Sequence, residues 1–180
     1  MKRFIALLRG INVSGQKKIK MSELKVLFED AGFQQIETYI QSGNVIFSSK
    51  EYSEDQLAKK ISLAIKNKFL FEVNIIIITS IELDKVLLNN PFIKKKKDDD
   101  KLYVTFLSGK PSMEQIKKLE EVNFSPEEYL INGKVIYLFL PNGAGKAKLN
   151  NNYFENKLKV VSTTRNWRTV STLSGIIKSH

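Results

Sequence analysis

The chain has 180 residues and a mass of 20.6 kDa, enough for one generous domain or two small ones. Its 42% hydrophobic and 27% charged residues are ordinary for a globular protein, and its net charge is +10. There is no cysteine, and the single histidine is His180. This argues against disulfides, thiolate zinc sites, cysteine nucleophiles, a Ser-His-Asp triad and histidine metal sites. The longest aliphatic run is four isoleucines at 75–78, and the apolar start at 4–8 is closed by Arg9. Neither a membrane span nor a signal-peptide core is expected. These features fit a cytoplasmic protein with no metal, no cofactor and no membrane partner.

In chain order, the composition predicts a buried strand over 3–9 and a loop over 10–20 with two glycines, Asn12 and three lysines. Met21, Leu24, Leu27, Phe28 and Ala31 follow helical spacing, and Gly32 suits the stop. Strands at 36–40 and 44–48 follow, joined by Gln41-Ser42-Gly43. Ser53-x-x-Gln56 resembles a capping box, opening a helix with Leu57, Ile61, Ala64 and Ile65 on one face. The β-branched run 73–79 is a strand, so the order is β-α-β-β-α-β. Thr79-x-x-Glu82 caps a linking helix that ends at Asn90-Pro91, and the Lys/Asp run 94–100 is a solvated loop.

The order then repeats. The expected elements are a strand at 102–107, a helix capped by Ser112-x-x-Gln115, and strands at 129–131 and 135–140 around Asn132-Gly133. A helix near 150–157, a strand near 158–162 and a final helix from Arg165 complete the set. The fold class is therefore α+β: two ferredoxin-like β-α-β-β-α-β halves, plus the linking helix and a C-terminal helix. The halves are 1–79 and 80–180. The duplication is one of pattern, since the two sequences barely match.

The charge has a distribution of its own. Residues 1–20 hold six Lys/Arg and no acid, and residues 134–180 hold eight Lys/Arg and one acid, Glu155. Residues 21–133 are slightly acidic, with fifteen bases and eighteen acids. If the two basic ends share a face, that face attracts phosphate or another anion. The competing reading is that these lysines serve solubility alone.

Three segments carry residues suited to such a site. In the loop after the first strand, Arg9, Asn12, Lys17 and Lys18 accompany Gly10 and Gly15, which permit close backbone approach to an anion. In the tip 41–44, Gln41, Ser42 and Asn44 offer neutral donors and acceptors, although the same residues are favoured in turns for backbone reasons. Near the last helix, Thr164, Arg165, Asn166 and Arg168 surround Trp167. Arginine at a helix start opposes the dipole unless a negative group sits there. Trp167 itself reads as a packed core residue. Lys146 and Lys148 lie in the glycine loop Gly143-Ala144-Gly145-Lys146-Ala147-Lys148. That loop fails the Walker pattern, because position 140 is Leu and position 147 is Ala.

Together these segments resemble an uncharacterised bacterial family, a domain of unknown function. Its signature is R-G-I-N-V-G-G, T-Y-I-Q-S-G-N-V-x-F, N-P-F, G-x-G-R-S-K-L and T-x-R-N-W-x-T. The corresponding stretches here are 9–15, 38–47, 90–92, 143–149 and 163–169, with Ser14 in place of a glycine and Ala147 in place of a hydroxyl residue. The resemblance implies a two-part α+β fold and leaves the activity open, because the family has no agreed one. The leading functional expectation is an anion-binding protein with a phosphorylated small molecule or nucleic acid on a shared basic face. The alternatives are an enzyme acting on an anionic small molecule without His or Cys, with no catalytic residue assigned, and a structural or protein-interaction module.

Overall fold

The computed structural model describes residues 1–13, 15–51 and 53–179. Its elements in chain order are β1 (Lys2–Leu8), α1 (Met21–Asp30), β2 (Gln34–Tyr39), β3 (Asn44–Ser49), α2 (Glu54–Phe69), β4 (Ile75–Thr79) and α3 (Ser80–Leu88), followed by a single-turn α4 (Pro91–Lys94). They continue with β5 (Leu102–Leu107), α5 (Met113–Glu120), β6 (Glu128–Asn132), β7 (Val135–Phe139), α6 (Asn151–Leu158), β8 (Ser162–Asn166) and α7 (Trp167–Lys178). The fold is α+β, with two ferredoxin-like halves. Two compact units emerge: Met1–Asp84 with Leu173–His180, and Lys85–Thr172. The chain leaves the first unit inside α3 and returns to it inside α7.

In the first unit the sheet order is β2-β3-β1-β4, with every neighbouring pair antiparallel. Strand alternation divides its side chains between two faces. Phe4, Ala6 and Leu8 share a face with Val45, Phe47, Ile75 and Ile77, and they pack with Leu24, Leu27 and Phe28 of α1 and Leu57, Ile61 and Ile65 of α2. Phe28, Phe33 and Phe47 form a ring cluster with centroids 4.7–5.6 Å apart. Ile5, Leu7, Ile46, Ile76 and Ile78, on the opposite face, are also buried. Double-sided burial is why β4 reads as an unbroken isoleucine run.

Helix ends follow local chemistry. Gly32, at φ +84°, takes up the left-handed position after α1. The Ser53 hydroxyl accepts from Gln56 N–H at α2, but the Ser53 N–H donates to Glu51, so the expected reciprocal bond to Gln56 is replaced. At α3 the Thr79 hydroxyl and the Glu82 carboxylate cap each other's amides, and Ser112 with Gln115 does the same at α5. The last turns of α7 are tied within the first unit. The Arg3 guanidinium donates to the Ile176 and Ile177 carbonyls at 3.3 and 3.1 Å and pairs with Glu37 at 2.7 Å, while Asp84 accepts from Ser174 and pairs with Lys178.

In the second unit the order is β6-β7-β5-β8, again antiparallel throughout. Leu107, Ile136, Leu138 and Leu140 pack with Leu119, Phe124, Phe154 and Leu158. The β6–β7 turn is Gly133-Lys134, with Asn132 opposite Val135, so the hairpin lies one residue beyond the expected Asn132-Gly133. Asn90-Pro91 does more than end the preceding helix: Asn90 caps the short α4, with Pro91 in its first turn. In the charged run, Lys97 pairs with Glu128 and sits over the Phe139 ring, and that pairing holds the Glu128 carboxyl below its ordinary range. Tyr137 donates to the Val86 carbonyl, and burial pushes its hydroxyl up to about 12.

One expected element is displaced. The strand placed near 158–162 is β8 at Ser162–Asn166, and α7 begins at Trp167 rather than Arg165. Lys159 ends α6 in a left-handed conformation, so the chain is still turning where the apolar Val160 and Val161 suggest a strand. The polar run Ser-Thr-Thr then forms the ladder because α6 satisfies its hydroxyls. Asn151 Oδ1 accepts from Ser162 and Thr164, and Thr164 also bonds Thr105 across the sheet at 2.7 Å. Trp167 is buried, as its core reading requires.

Candidate functional site

The register of the first sheet brings two of the singled-out segments together. Leu7 lies opposite Asn44 and Leu8 opposite Ile75, so the loop after β1, the β2–β3 tip and the segment before β4 share one sheet end. Backbone bonds close that end, from Leu8 N–H to the Gly43 carbonyl and from Arg9 N–H to the Asn74 carbonyl, both 2.9 Å. Asn12 is its keystone. Its Nδ2 donates to the carbonyls of Ile19 and Gln41 at 2.9 and 2.8 Å, and its Oδ1 accepts from Ile19 N–H at 2.9 Å. The loop is therefore pinned to itself and to the tip by one amide, with Ile11 and Ile19 buried beneath it.

Asn44 is fully buried, and its Nδ2 donates to the Tyr39 carbonyl and the Ser42 hydroxyl. Gln41 is exposed, while Ser42 and Arg9 are half-buried. The Lys17 ammonium donates to the Glu72 carbonyl at 2.7 Å. The Glu72 carboxyl is held below its ordinary range by its bond to Lys66, then by the nearby Lys17. Lys18 and Lys20 are exposed and have no acidic partner among the described residues.

The second unit holds the remaining candidates. The glycine loop turns at Gly143 and winds through the 3-10 turn Ala144–Lys146, leaving Lys146 and Lys148 exposed with no acidic partner among the described residues. Its next two amides are occupied: Lys148 N–H and Leu149 N–H each donate to a Glu127 carboxylate oxygen at 2.9 Å. A carboxylate of the chain itself thus sits where these amides would hold an anion. We expect Glu127→Ala to cost about 1–2 kcal/mol of stability, because two amides lose a charged acceptor. Faster amide exchange at Lys148 and Leu149 would accompany it, whereas unchanged exchange would show that other contacts fix the loop.

Thr164 is committed to Asn151 and Thr105. Arg165 lies within β8 and is 7% exposed, with its guanidinium donating to the Thr163 hydroxyl and the Thr164 carbonyl. Asn166 caps α7 by accepting from Thr169 N–H. Arg168, in the first turn of α7, has the negative neighbour its position calls for: Asp100 at 3.1 Å, with both side chains well exposed. Phe139 pairs with Leu102 and Asn166 with Tyr103, so the glycine loop and the start of α7 follow strands that finish at the same end of this sheet.

The tip residue Ile40 and the tip at Leu70 after α2 were missed by sequence reasoning. Both are exposed, and both are in left-handed conformations. No sequence signal marks them, since aliphatic residues are not turn formers. Among the described residues no group of three or more His, Cys, Asp or Glu side chains is placed to hold a metal ion. No helix among them is long and apolar enough to cross a membrane.

Comparison with curated proteins found no match. Among solved structures, the chain is similar to the conserved bacterial protein SP0830 from Streptococcus pneumoniae, at 23% identity and a TM-score of 0.79 over 99% of each chain. At that identity the likeness concerns the fold. Residues 1–137 match the family described as "Protein of unknown function (DUF1697)". That match takes in β1 to β6, the first part of β7 and the whole end built around Asn12, and the chain belongs to this family of proteins of unknown function.

Proposed function

We propose that the chain is an anion-binding protein whose ligand carries phosphate, either as a phosphorylated small molecule or along a nucleic acid backbone. The supporting observation is that Lys18 and Lys20 in the first unit, and Lys146 and Lys148 in the second, are exposed cations without acidic partners among the described residues. The loops that carry them are fixed by Asn12 and by Glu127. A lysine on a fixed loop loses less freedom when it meets an anion than one on a mobile segment. Each exposed contact alone is worth about 0.2–1 kcal/mol, so useful affinity in either unit requires more than one cation of that unit to meet the ligand. In the second unit the ammonium groups do this work, because Glu127 occupies the adjacent amides.

The test is titration of the parent and of Lys18→Ala/Lys146→Ala/Lys148→Ala with a nucleotide and an oligonucleotide at two salt concentrations. The variant should bind about tenfold more weakly or worse, roughly 1.4 kcal/mol, with unchanged thermal stability. Arg165 is left intact because its side chain is buried. A steep salt slope assigns the ligand to nucleic acid, and a shallow one to a small phosphorylated molecule. A parent that binds neither probe more tightly than millimolar at low salt overturns the reading.

A further inference from the structure

At the sheet end built around Asn12, three aliphatic side chains stand in solvent on three different segments. Val13 is 56% exposed, Ile40 is 47% exposed and Leu70 is 87% exposed. The bonds that close this end hold their segments together: Asn12 to Gln41, Lys17 to Glu72, and Arg9 to Asn74. Scattered exposed aliphatics need no explanation. Ile40 and Leu70 differ, because their φ angles are +52° and +62°. At such positions turn chemistry favours Gly or Asn, and a β-branched residue is rare. Neither core packing nor backbone preference accounts for an aliphatic side chain at either position.

Cations surround these tips. Lys17, Lys18 and Lys20 lie on the loop with Val13, while Lys66 and Lys68 lie in the last turn of α2 before Leu70, and all five are exposed. The nearest acid on these segments, Glu72, is paired with Lys66. Aliphatic tips ringed by lysines match the two layers of a bilayer surface: acyl chains beneath, and phosphate headgroups at the level the ammonium groups reach. Single-stranded nucleic acid instead calls for exposed aromatic platforms. Among the described residues no Phe, Tyr or Trp is exposed.

We propose that this end of the first unit docks on the surface of an anionic lipid bilayer, inserting Val13, Ile40 and Leu70 while the surrounding lysines engage lipid phosphates. Docking of this kind needs no membrane-crossing helix. It rests on the phosphate-binding reading and names the form in which the phosphate is presented.

The experiment is vesicle flotation of the full chain, using phosphatidylcholine alone and phosphatidylcholine mixed with phosphatidylglycerol. It compares the parent with Val13→Ser/Ile40→Asn/Leu70→Asn, and both proteins are also titrated with a soluble oligonucleotide and with inorganic polyphosphate. Asn suits positive φ, so the variant should be at least as stable as the parent. The parent should float only with the anionic vesicles, and the variant should bind them about tenfold more weakly or worse. Binding of the soluble polyphosphate should stay the same for both proteins. Equal vesicle binding by parent and variant overturns the proposal, because the aliphatic tips then play no part. A parent that binds oligonucleotide or polyphosphate but no vesicle also overturns it and leaves the phosphate reading standing. Failure to bind any of the probes removes both.

Discussion

Replacing Gly43 with alanine should destabilise the protein by about 2–4 kcal/mol, the largest effect expected of any change this small. Two costs act together. Gly43 has φ +75°, a conformation that alanine adopts only with strain. A Cβ there would also lie 2.7 Å from Ile11 Cδ1, 2.9 Å from Ile11 Cγ1 and 2.8 Å from Leu8 Cβ. Ile11 is buried and Leu8 Cβ is fixed to its strand, so neither has room to retreat. Gly10 and Gly15 also have positive φ but open space around them, so alanine there should cost only the backbone strain, about 1 kcal/mol. Chemical denaturation of the three variants checks the ranking. A Gly43→Ala variant no worse than Gly10→Ala would show that the tip relaxes away from Ile11.

Asn12→Ala should cost about 2–3 kcal/mol. It removes two donors and one acceptor at once and leaves the Ile19 N–H and the Ile19 and Gln41 carbonyls without their side-chain partner. It also places alanine at φ +55°. Asn12→Gly separates the terms, since glycine relieves the backbone while still losing the bonds. Glycine should therefore recover about 1 kcal/mol of the loss. Amide exchange at Ile19 should rise in both variants. If the glycine variant matched the parent in stability, the side-chain bonds would carry no net energy.

The alternation of periods made most of this architecture legible from sequence. Four-residue spacing in 21–31 and 57–65, and β-branched or apolar runs at 102–107 and 75–78, separate helix from strand without ambiguity, and the caps at Thr79 and Ser112 mark starts. Sequence reasoning failed where a long-range partner overrides local composition. Thr163 and Thr164 look like a loop until their hydroxyls find partners, Arg165 for Thr163, and Asn151 and Thr105 for Thr164. Arg165, expected at a helix start, is carried into the strand with them.

The candidate residues divide in the same way. The exposed lysines are where their charge suggests, because a charged side chain without a partner stays in water. Asn12 and Asn44, chosen as ligand readers, use their amides on backbone groups. Their composition alone left those two roles open. Glu127 carries no sequence signal, because a single acid 21 and 22 residues from the two amides it binds is indistinguishable from any surface glutamate.

The first unit is discontinuous, and this has a consequence during synthesis. Strand β1 is made well before its partners in α7: the carbonyls of Ile176 and Ile177, which receive the Arg3 guanidinium, follow only after residues 85–172 have been made. A nascent chain therefore has to keep an arginine of its first strand, and the neighbouring Glu37, waiting through the production of the entire intervening unit. On the ribosome this unit, though begun before the other, is finished after it, and its completion waits on the emergence of the second half of α7 rather than on its own local sequence.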